Sequence, residues 1–322
     1  MKAIVLNSPV PPEGLIISDI PKPVISDGYA IIRNEYAGIN YIDTYHRSGQ
    51  YTVNYPFIPG KEAAGVIDDI TYNPYGMRKG DRVVYAGIPG AYAEFSKVHV
   101  KDLVRIPDYI SSSDAAAMFL QGMTAHYLCY SAFPLSPGKS CLIHAGAGGV
   151  GLILNQMALN LGADVYTTVS TKLKADLLKS LGVKNIINYA ETDFVAELMS
   201  MTGGKKLDVV YDSVGKSTFL KSLDCLNVRG WIVIFGQSSG APDPVDPQLL
   251  NKKGSLIMTR PKLDDYIHTR EELESRSSAL FELFHKGVFR LMNIAEYPID
   301  KAPVAHKDLE SRGTMGKLLL KF

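Results

Sequence analysis

The chain has 322 residues, 46% of them hydrophobic, and this length predicts two domains with a hydrophobic core each. A formal net charge of +1 excludes a general electrostatic attraction to nucleic acid or to an anionic membrane surface. No apolar stretch is long enough to span a bilayer, and the N-terminal one is too short for a secretory signal, so we expect neither a nucleic-acid nor a membrane partner.

Short apolar segments dominate the chain before residue 120, and clusters of Gly, Pro, Asn and Asp separate them. They are AIVL (3–6), YAIIR (29–33), AAGVI (63–67) and RVVYA (82–86). This texture predicts short strands in a compact, largely β domain. The stretch 111–130 begins with serines that can cap a helix and continues in a helical pattern, so it predicts a helix leading into a second domain.

A glycine-rich loop, HAGAGGVG (144–151), follows the apolar run Cys141–Ile143 and opens onto a helical pattern. This is the strand, glycine turn and helix start that grips a dinucleotide pyrophosphate. Gly146 allows the tight turn, Gly148 lets the backbone approach the phosphates, and Gly151 lets helix and strand pack closely. The predicted cofactor contacts in the loop are Gly146, Gly148, Gly149, Val150 and Gly151. Similar glycine runs occur in ordinary turns, so the elements around this loop determine whether it is a dinucleotide-binding loop or an ordinary turn.

Those surroundings alternate between short apolar strands and helical patterns. Strands are predicted at 165–169, 185–188, 207–215 and 231–236, and helices at 172–182, 192–201 and 219–226. In the first of these helices, Leu173, Leu177, Leu178 and Leu181 share one face. The alternation predicts an α/β domain with a doubly wound parallel sheet, the Rossmann arrangement.

Cofactor choice depends on the end of the second predicted strand, where an acidic side chain takes the ribose 2′-hydroxyl of NAD. This chain has Thr167, Thr168, Val169, Ser170 and Thr171 there, followed by Lys172 and Lys174. Small hydroxyls and ammonium groups neutralise a 2′-phosphate that an acid would repel, so the sequence predicts NADPH. The alternative is that the two lysines are solvated residues at a helix start.

Strand-like segments return after residue 255, in SLIMT (255–259) and GKLLLKF (316–322), with a predicted helix over 270–285 between them. A C-terminal strand needs a partner sheet, and the first domain is the obvious one. We therefore expect a discontinuous first domain, formed by residues 1–122 and 263–322, around a nucleotide-binding domain at 123–262.

The three cysteines, Cys129, Cys141 and Cys225, stand far apart and form no C-x-x-C pair. This pattern indicates a reduced, cytoplasmic protein without a disulfide framework or a thiolate metal site.

Six separated runs carry a family resemblance. They are AGINYIDTYHRSGQY (37–51), PFIPGKEAAGVI (56–67), GDRVVYA (80–86), the glycine loop, VVYDSVG (209–215) and SLIMTRP (255–261). In this order they resemble the quinone oxidoreductase, or zeta-crystallin, family of zinc-independent medium-chain dehydrogenases/reductases. The resemblance implies a GroES-like β domain, a Rossmann domain, an active cleft between them, NADPH as cofactor, and usually a homodimer.

Zinc-using relatives of that family place Cys, His and Cys around a catalytic metal. The matching positions here are Asn40, Lys61 and Gln121, none of which is a thiolate or an imidazole. The four-cysteine loop that carries structural zinc in those relatives is also missing. We therefore expect no metal.

The resemblance also implies site residues. Asn40, Tyr45 and Tyr51 are placed on the substrate side, and Thr124 near the nicotinamide. Tyr51 is suited to stacking on a ring or donating a hydrogen bond. The remaining implied cofactor contacts are Ser170, Lys174, Tyr189 and Arg312 around the adenosine 2′-phosphate, with Phe235, Gly236 and Ser238 framing the nicotinamide.

Each substrate-side assignment has a structural alternative. Tyr45 also fits as a core aromatic, and Asp43 fits a helix cap better than a catalytic base. Gln121 either bonds substrate or satisfies buried backbone groups. His126 and His144 lack carboxylate or cysteine company and are structural by default.

The function expected is NADPH:quinone oxidoreduction, by hydride or electron transfer, without a metal. One alternative is an NADPH-dependent reductase of α,β-unsaturated carbonyls or enoyl thioesters, which uses the same hydride geometry. Another is a crystallin-like NADPH- or RNA-binding protein, against which the near-zero net charge argues.

Overall fold

The computed structural model describes all residues 1–322, which form two compact units. The first unit consists of Met1–Met123, Ile267–His285 and Leu291–Phe322, and the second of Thr124–Tyr266 and Lys286–Arg290. The first unit is therefore assembled from three separate stretches of the chain. Residues 263–322 were predicted to belong as a whole to the first domain, whereas residues 263–266 and 286–290 group with the second unit.

The first stretch of the first unit, Met1–Met123, holds most of the β structure of that unit. Its strands are β1 Lys2–Ile4, β2 Ile17–Asp19, β3 Tyr29–Ile39, β4 Glu62–Ile70, β5 Arg82–Ala86, β6 Phe95–His99 and β7 Val104–Arg105. Its helices are α1 Tyr41–Ser48 and α2 Ser112–Tyr127. The predicted serine cap of α2 is confirmed, because the Ser111 hydroxyl accepts a 3.0 Å hydrogen bond from the Asp114 N–H.

The middle stretch alternates strands and helices. The strands are β8 Ser140–Ile143, β9 Asp164–Val169, β10 Asn185–Asn188, β11 Leu207–Asp212, β12 Leu226–Ile234 and β13 Ile257–Thr259. The helices are α3 Gly149–Asn160, α4 Lys172–Ser180, α5 Phe194–Thr202, α6 Phe219–Ser222 and α7 Pro247–Lys252. The last stretch contains α8 Arg270–His285, β14 Ile294–Pro298, α9 Ala302–Glu310 and β15 Lys317–Lys321.

Strand β3 is the centre of the main sheet of the first unit, whose order is β14-β15-β3-β4-β5-β7 with β6 also paired to β3. The C-terminal strand β15 lies antiparallel to β3, with Leu318 opposite Ile39 and Leu320 opposite Ala37. The prediction that the C-terminal segment joins the sheet of the first domain is therefore confirmed. Apolar side chains of this sheet form the core of the unit, among them Ile32, Val83 and Leu320.

The second unit is a six-stranded parallel sheet with the order β10-β9-β8-β11-β12-β13. The prediction of a doubly wound parallel α/β sheet is confirmed. The strand order reverses between β8 and β11, and in open parallel sheets ligands bind outside the carboxyl ends of the strands at such a point. The buried face of the sheet packs Leu142, Val210 and Ile232 against α5 and α6 residues such as Leu198 and Phe219.

Two local expectations are refined by the structure. Residues 219–225 are helical as predicted, in α6 and in a 3₁₀ turn at Leu223–Cys225, but β12 already begins at Leu226. The predicted helix over 172–182 is confirmed as α4, but its leucines are buried to different extents: Leu178 is fully buried, whereas Leu173, in the first turn, is 67% exposed.

The segment 286–290 is held to the second unit by one side chain. The Gln156 amide of α3 donates to the Arg290 carbonyl at 3.2 Å and accepts from the Arg290 N–H at 2.9 Å. Phe289 beside it is buried. This two-point clasp explains why a few residues of the last stretch leave the first unit. No helix of the chain combines the length and the apolar composition needed to cross a bilayer.

Candidate functional site

The predicted nucleotide residues of the second unit meet at one edge of its sheet. The glycine loop follows β8, Ser170 follows β9, Tyr189 follows β10, and Phe235 follows β12. Because these strands are parallel, their carboxyl ends point to the same side. The Gly146 and Tyr189 N–H groups donate to the carbonyls of Thr168 and Val169 at 2.9 and 3.0 Å, which fixes both loops to the end of β9.

The glycine loop is shaped by contacts that leave no room for side chains. A Cβ at Gly146 would overlap the Thr167 hydroxyl, and a Cβ at Gly151 would overlap the Ala145 carbonyl. At Gly148 the nearest atom to an added Cβ is the Ala145 oxygen, at 3.2 Å. Gly146 and Gly151 are therefore required by packing inside the protein, whereas Gly148 keeps a surface open on which phosphate oxygens fit.

The left-handed residue of this loop is Ala145, with φ of 53°, and not a glycine. Gly146 was predicted to make the tight turn. In the structure the turn is made at Ala145, whose carbonyl accepts the Gly148 N–H at 2.9 Å, and Gly146 is needed for close packing on β9. A left-handed alanine costs about 1 kcal/mol, which the surrounding hydrogen bonds offset.

Helix α3 offers its N-terminus to an anion. It begins at Gly149, its N-cap is Gly148 with no capping side chain, and no acidic residue lies in its first turn. The first N–H groups of a helix have no partner within the helix and carry partial positive charge. Gly149 and Val150 supply such groups, so the loop has the donors and the space that a pyrophosphate requires.

The end of β9 carries the groups predicted to bind a 2′-phosphate. Thr171 caps α4 by accepting from the Lys174 N–H at 3.3 Å, and the Lys174 ammonium donates to the Ser170 hydroxyl at 3.4 Å. Partial burial lowers the pKa of the Lys174 ammonium. An ammonium that has lost part of its solvation gains from a bound phosphate, so these residues fit NADPH. Tyr189, 46% exposed, lies one strand away.

The loop after β12 is tied to the loop after β11. Phe235 donates its N–H to the Asp212 carbonyl at 2.8 Å, and Ser238 donates its N–H to the Ser213 carbonyl at 3.2 Å. A Cβ at Gly236 would lie 2.7 Å from the Ser213 oxygen, so the two chain segments run in close contact there. Phe235, Gly236 and Ser238 are half-buried at the same edge of the sheet as the glycine loop.

In the first unit, helix α1 carries the predicted substrate residues. Asn40 is its N-cap and is 5% exposed, while Tyr45 is buried within it. Tyr51 folds back after the helix and donates its N–H to the Tyr45 carbonyl at 3.0 Å, and its ring lies 5.1 Å from that of Tyr45 at a tilt of 56°. The two tyrosines therefore form one aromatic pair, in which Tyr45 is a core residue and Tyr51 is half-buried.

The Asn40 side chain belongs to a buried polar group that we call the Asn40 cluster: Asn40, Glu62, Gln121, Lys317 and the Gly38 carbonyl. The Asn40 oxygen Oδ1 accepts from Lys317 Nζ at 2.8 Å and from Gln121 Nε2 at 3.3 Å. Its nitrogen Nδ2 donates to Glu62 Oε2 at 2.9 Å and to the Gly38 carbonyl at 3.3 Å. An amide has two acceptor sites and two donors, so all four are occupied.

An ion pair lies behind that amide. Lys317 Nζ and Glu62 Oε2 are 2.6 Å apart, with side chains 3% and 0% exposed. The second Glu62 oxygen accepts from the Leu120 N–H at 2.6 Å. A Cβ at Gly38 would overlap Glu62 and lie 2.8 Å from Lys317 Nζ. The pair is therefore enclosed, and Gly38 is the residue whose missing side chain makes room for it.

A second buried chain of hydrogen bonds begins at Asp43. Its Oδ2 accepts from the Asn40 N–H at 2.8 Å and from the Tyr92 hydroxyl at 3.2 Å, and that hydroxyl lies 3.0 Å from His306 Nε2. The Arg47 guanidinium lies 3.2 Å from His306 Nδ1. Because a guanidinium only donates, Nδ1 is the acceptor and Nε2 carries the proton. The interpretation of Asp43 as a helix cap is confirmed.

Burial sets the protonation of this chain. It raises the pKa of Asp43 to about 7, against the opposing effects of the Asn40 N–H and the Lys317 charge. Burial, with a smaller contribution from the Arg47 charge, lowers the pKa of His306 to about 3. Since His306 is neutral at physiological pH, its role here is to orient Tyr92 toward Asp43.

Three predicted residues remain to be placed: Thr124, Arg312 and His144. Thr124 is buried in α2, and Arg312 is exposed in the turn after α9, in the first unit, with φ of 60°. His144 is buried, with its ring nitrogens 3.0 Å from the Thr168 hydroxyl and 2.9 Å from the Ser222 hydroxyl, which confirms its structural role.

The donor chemistry does not fit a metal centre. No group of three or more His, Cys, Asp or Glu side chains is arranged to hold an ion. At the positions that match the zinc ligands of relatives, the Asn40 and Gln121 amides bond to each other, and Lys61 brings an ammonium. Glu62 is the one carboxylate in the Asn40 cluster, and Lys317 already neutralises it.

Sequence reasoning missed Glu62, Lys317, Tyr92 and His306. Glu62 and Lys317 are 255 positions apart, and Tyr92 and His306 are 214 apart. One signal was present: Glu62 and Lys317 each stand directly before an apolar run, in EAAGVI and KLLL. Charged residues are almost never fully buried unless they are paired, so two such strands in one sheet indicate a pair.

The chain is similar to known dehydrogenase domains and to known quinone oxidoreductases. The alcohol dehydrogenase GroES-like domain matches residues 26–108, and the zinc-binding dehydrogenase family matches residues 149–269. Quinone oxidoreductase 1 of Escherichia coli K12 is 46% identical over 296 residues, 90% of either chain. A 2-haloacrylate reductase of Burkholderia is 36% identical over 326 residues, 99% of this chain and 98% of that one. The structure of Escherichia coli quinone oxidoreductase complexed with NADPH matches with a TM-score of 0.97 at 42% identity, over all of both chains.

Proposed function

The chain belongs to the quinone oxidoreductase family of zinc-independent medium-chain dehydrogenases/reductases, and we propose that it reduces a quinone with NADPH. The observation that carries the proposal is the full-length match to an NADPH-bound quinone oxidoreductase, in a chain whose own glycine loop keeps the space and donors for a pyrophosphate. Hydride donation by NADPH and hydride acceptance by a quinone both proceed without a metal. This agrees with the side chains of Asn40, Lys61 and Gln121, which do not form a metal site.

NADPH, when bound, supplies a hydride from its nicotinamide ring. The task of the second unit is to hold and orient it. The N–H groups of Gly149 and Val150 take the pyrophosphate, and Ser170 and Lys174 take the 2′-phosphate. Phe235, Gly236 and Ser238 bound the nicotinamide end at the same sheet edge, with Thr124 as a further contact. Tyr189 and Arg312 complete the adenosine side of the proposal.

On the acceptor side, the proposal assigns positioning and not strong acid catalysis. A quinone is a good hydride acceptor, and the proton that completes the hydroquinone comes from a nearby hydroxyl or from solvent. The half-buried Tyr51, supported by the tilted ring of Tyr45, supplies an aromatic ring face and a hydroxyl suited to an aromatic acceptor. Asp43 takes no part, because it is fully buried and engaged as a cap.

The experiment is steady-state oxidation of NADPH and NADH by the purified full-length protein against one-ring and multi-ring quinones. We expect kcat/KM for NADPH to exceed that for NADH by about tenfold or more, since a lost charge-assisted contact to phosphate costs at least about 1.4 kcal/mol. A preference for NADH would overturn the assignment of Ser170 and Lys174.

A second candidate is reduction of α,β-unsaturated carbonyl compounds or enoyl thioesters. The 2-haloacrylate reductase that covers 99% of this chain favours it, because its named substrate is an unsaturated acid. Including 2-haloacrylate and a simple enone in the acceptor panel separates the two candidates. Quinones are expected to be reduced faster, and the reverse order would make the second candidate the function.

We also propose that the protein is a cytoplasmic homodimer. Strand β13 is an edge of the parallel sheet and exposes Ile257 and Met258 to 40% and 41%, and an apolar edge strand is a template for pairing. None of the three cysteines is in a disulfide and all are buried, as suits a reducing compartment. Light scattering of the native protein and of Ile257→Lys tests the dimer: the substitution is expected to give monomers, and a monomeric native protein would refute it.

A further inference from the structure

The Asn40 amide cannot contact an acceptor without losing an internal partner. Its oxygen accepts from Lys317 and Gln121, and its nitrogen donates to Glu62 and Gly38. All four of its hydrogen-bonding sites are therefore engaged. Since it is also 5% exposed, its evident task is to hold neighbouring groups in place.

Gln121 is the member of the Asn40 cluster that is only half-buried. It gives one Nε2 hydrogen to Asn40, and a primary amide has a second hydrogen and a carbonyl oxygen besides. The bond to Asn40 has one possible sense, because Lys317 donates to the same Oδ1 atom and so marks that atom as the oxygen. The orientation of the Gln121 amide is thus dictated by a buried charge two contacts away.

The ion pair is placed by the sheet. Glu62 begins β4 and Lys317 begins β15, and both strands flank β3 at the end that leads into Asn40. Gly38 in β3 leaves the space that the two side chains fill. A buried pair of this kind is a weak source of stability compared with apolar residues, so its retention calls for another role.

We propose, on the premise that the protein reduces quinones, that Glu62 and Lys317 are positioning residues for the acceptor. They lock the Asn40 amide, and Asn40 in turn holds Gln121 so that its second Nε2 hydrogen donates to the acceptor carbonyl oxygen. The carbonyl oxygen of the bound quinone already accepts this hydrogen bond before the hydride arrives, so a donor fixed in advance contributes to quinone binding and orientation, and its loss raises KM. Gln121 is the contact, and the other three residues act through it.

The test uses the full-length protein and a double-mutant cycle. The variant Glu62→Gln/Lys317→Met removes both charges and avoids leaving one of them unpaired. It is expected to keep its thermal midpoint close to wild type and its NADPH dissociation constant within about twofold, while the quinone KM rises about tenfold. Gln121→Ala is expected to raise the same KM by a similar factor.

Combining Gln121→Ala with the double variant is the decisive measurement. If the charges act through Gln121, the triple variant has the quinone KM of Gln121→Ala alone, with no further rise. Effects that multiply, or a double variant whose KM stays within twofold of wild type, overturn the proposal.

The matched control is Asn34→Ala, which removes another buried amide of the first unit, one that donates to the Ala93 carbonyl and the Ser96 hydroxyl. It is expected to lower the thermal midpoint and leave the quinone KM unchanged, so a raised KM there would show that the readout reports only loosened packing. Wild-type protein that fails to oxidise NADPH with any quinone would refute the proposed function itself, whereas active wild type with additive variants refutes only this inference.

Discussion

The glycine loop of the second unit and the Asn40 cluster of the first are built in opposite ways. The loop is contiguous in sequence, uncharged, and works because side chains are absent at Gly146, Gly148 and Gly151. The cluster draws on residues up to 277 positions apart, contains two full charges, and works because every donor and acceptor is matched. A backbone site tolerates change in its surroundings but not an added atom, whereas a side-chain site depends on each of its members.

The largest expected effect comes from breaking the cluster at its charge. Lys317→Met leaves Glu62 buried without its partner, which lowers the free energy of unfolding by about 3–5 kcal/mol. Urea denaturation with wild-type protein as reference measures the loss. The companion variant Glu62→Gln/Lys317→Met is expected to regain most of it, because no charge is stranded. A single variant within about 1 kcal/mol of wild type would contradict the account of a tightly enclosed pair.

Next in size is an added atom in the loop. Gly146→Ala forces a Cβ into the Thr167 hydroxyl and is expected to lower the free energy of unfolding by about 2–3 kcal/mol. Gly148→Ala meets only the Ala145 oxygen at 3.2 Å, so it keeps its stability but weakens NADPH binding about tenfold or more. Thermal unfolding and fluorescence titration of the two variants separate these effects. Equal loss of stability in both would show that Gly148 also serves internal packing.

The pH dependence of stability sharpens the comparison, because Asp43 and His306 are buried in the hydrogen-bond chain next to the cluster and their pKa values are shifted in opposite directions. The folded pKa of Asp43, about 7, lies above its unfolded value of 3.8, so Asp43 adds stability as pH falls from 7 toward 4. The folded pKa of His306, about 3, lies below 6.5, so His306 removes stability as pH falls from 6.5 toward 3. Between pH 6.5 and 4 the two contributions oppose each other.

Two variants expose these opposed contributions. His306→Gln is expected to gain roughly 2 kcal/mol of stability between pH 7 and 5.5, and Asp43→Asn to lose roughly 2 kcal/mol between pH 6.5 and 5. The measurement is the thermal midpoint of each variant as a function of pH, and the slopes of these two curves are compared. Lys317, Glu62, Tyr92 and Arg47 supply the neighbouring charges and polar contacts in both variants. Parallel slopes in the two would mean that neither group titrates as described.

The smallest expected effect concerns cofactor selectivity at the rim of the loop. Lys174→Glu is expected to raise the KM for NADPH about tenfold and that for NADH much less, because an acid repels the 2′-phosphate. Lys179→Glu, on the exposed last turn of the same helix, is the control and is expected to leave both constants unchanged. Equal rises for both cofactors with Lys174→Glu would remove Lys174 from the phosphate site.

The same contrast explains what could be predicted from the sequence. The strand, loop and helix around Gly146 follow from local pattern, and so does the alternation that gives the parallel sheet. That β15 joins the sheet of the first unit was also predictable, because an apolar C-terminal strand needs a sheet, although its partner strand β3 was not. The left-handed Ala145 was not, since nothing local marks an alanine for that conformation.

The Asn40 cluster shows the limit more clearly. Asn40 itself was found through the family resemblance, but its partners depend on strand register between β3, β4 and β15, which no single segment contains. Leu173 shows a related limit. The helical period places it on the same face of α4 as Leu178, but tertiary packing determines which residues of that face are buried. The periodicity of a segment predicts which of its residues share a face. The register between strands determines which residues of different segments come into contact.

The order in which the chain leaves the ribosome gives the discontinuous first unit a final consequence. The second unit has all of its residues once Arg290 has been made, whereas the sheet of the first unit lacks β14 and β15 until residue 321 has been added. At about 5–20 residues per second, the nucleotide-binding unit is complete some seconds before β15. Until Lys317 has been added, Glu62 has no counter-ion, so a nascent chain stalled short of β15 is expected to carry a folded cofactor unit and an unfinished, protease-sensitive first unit.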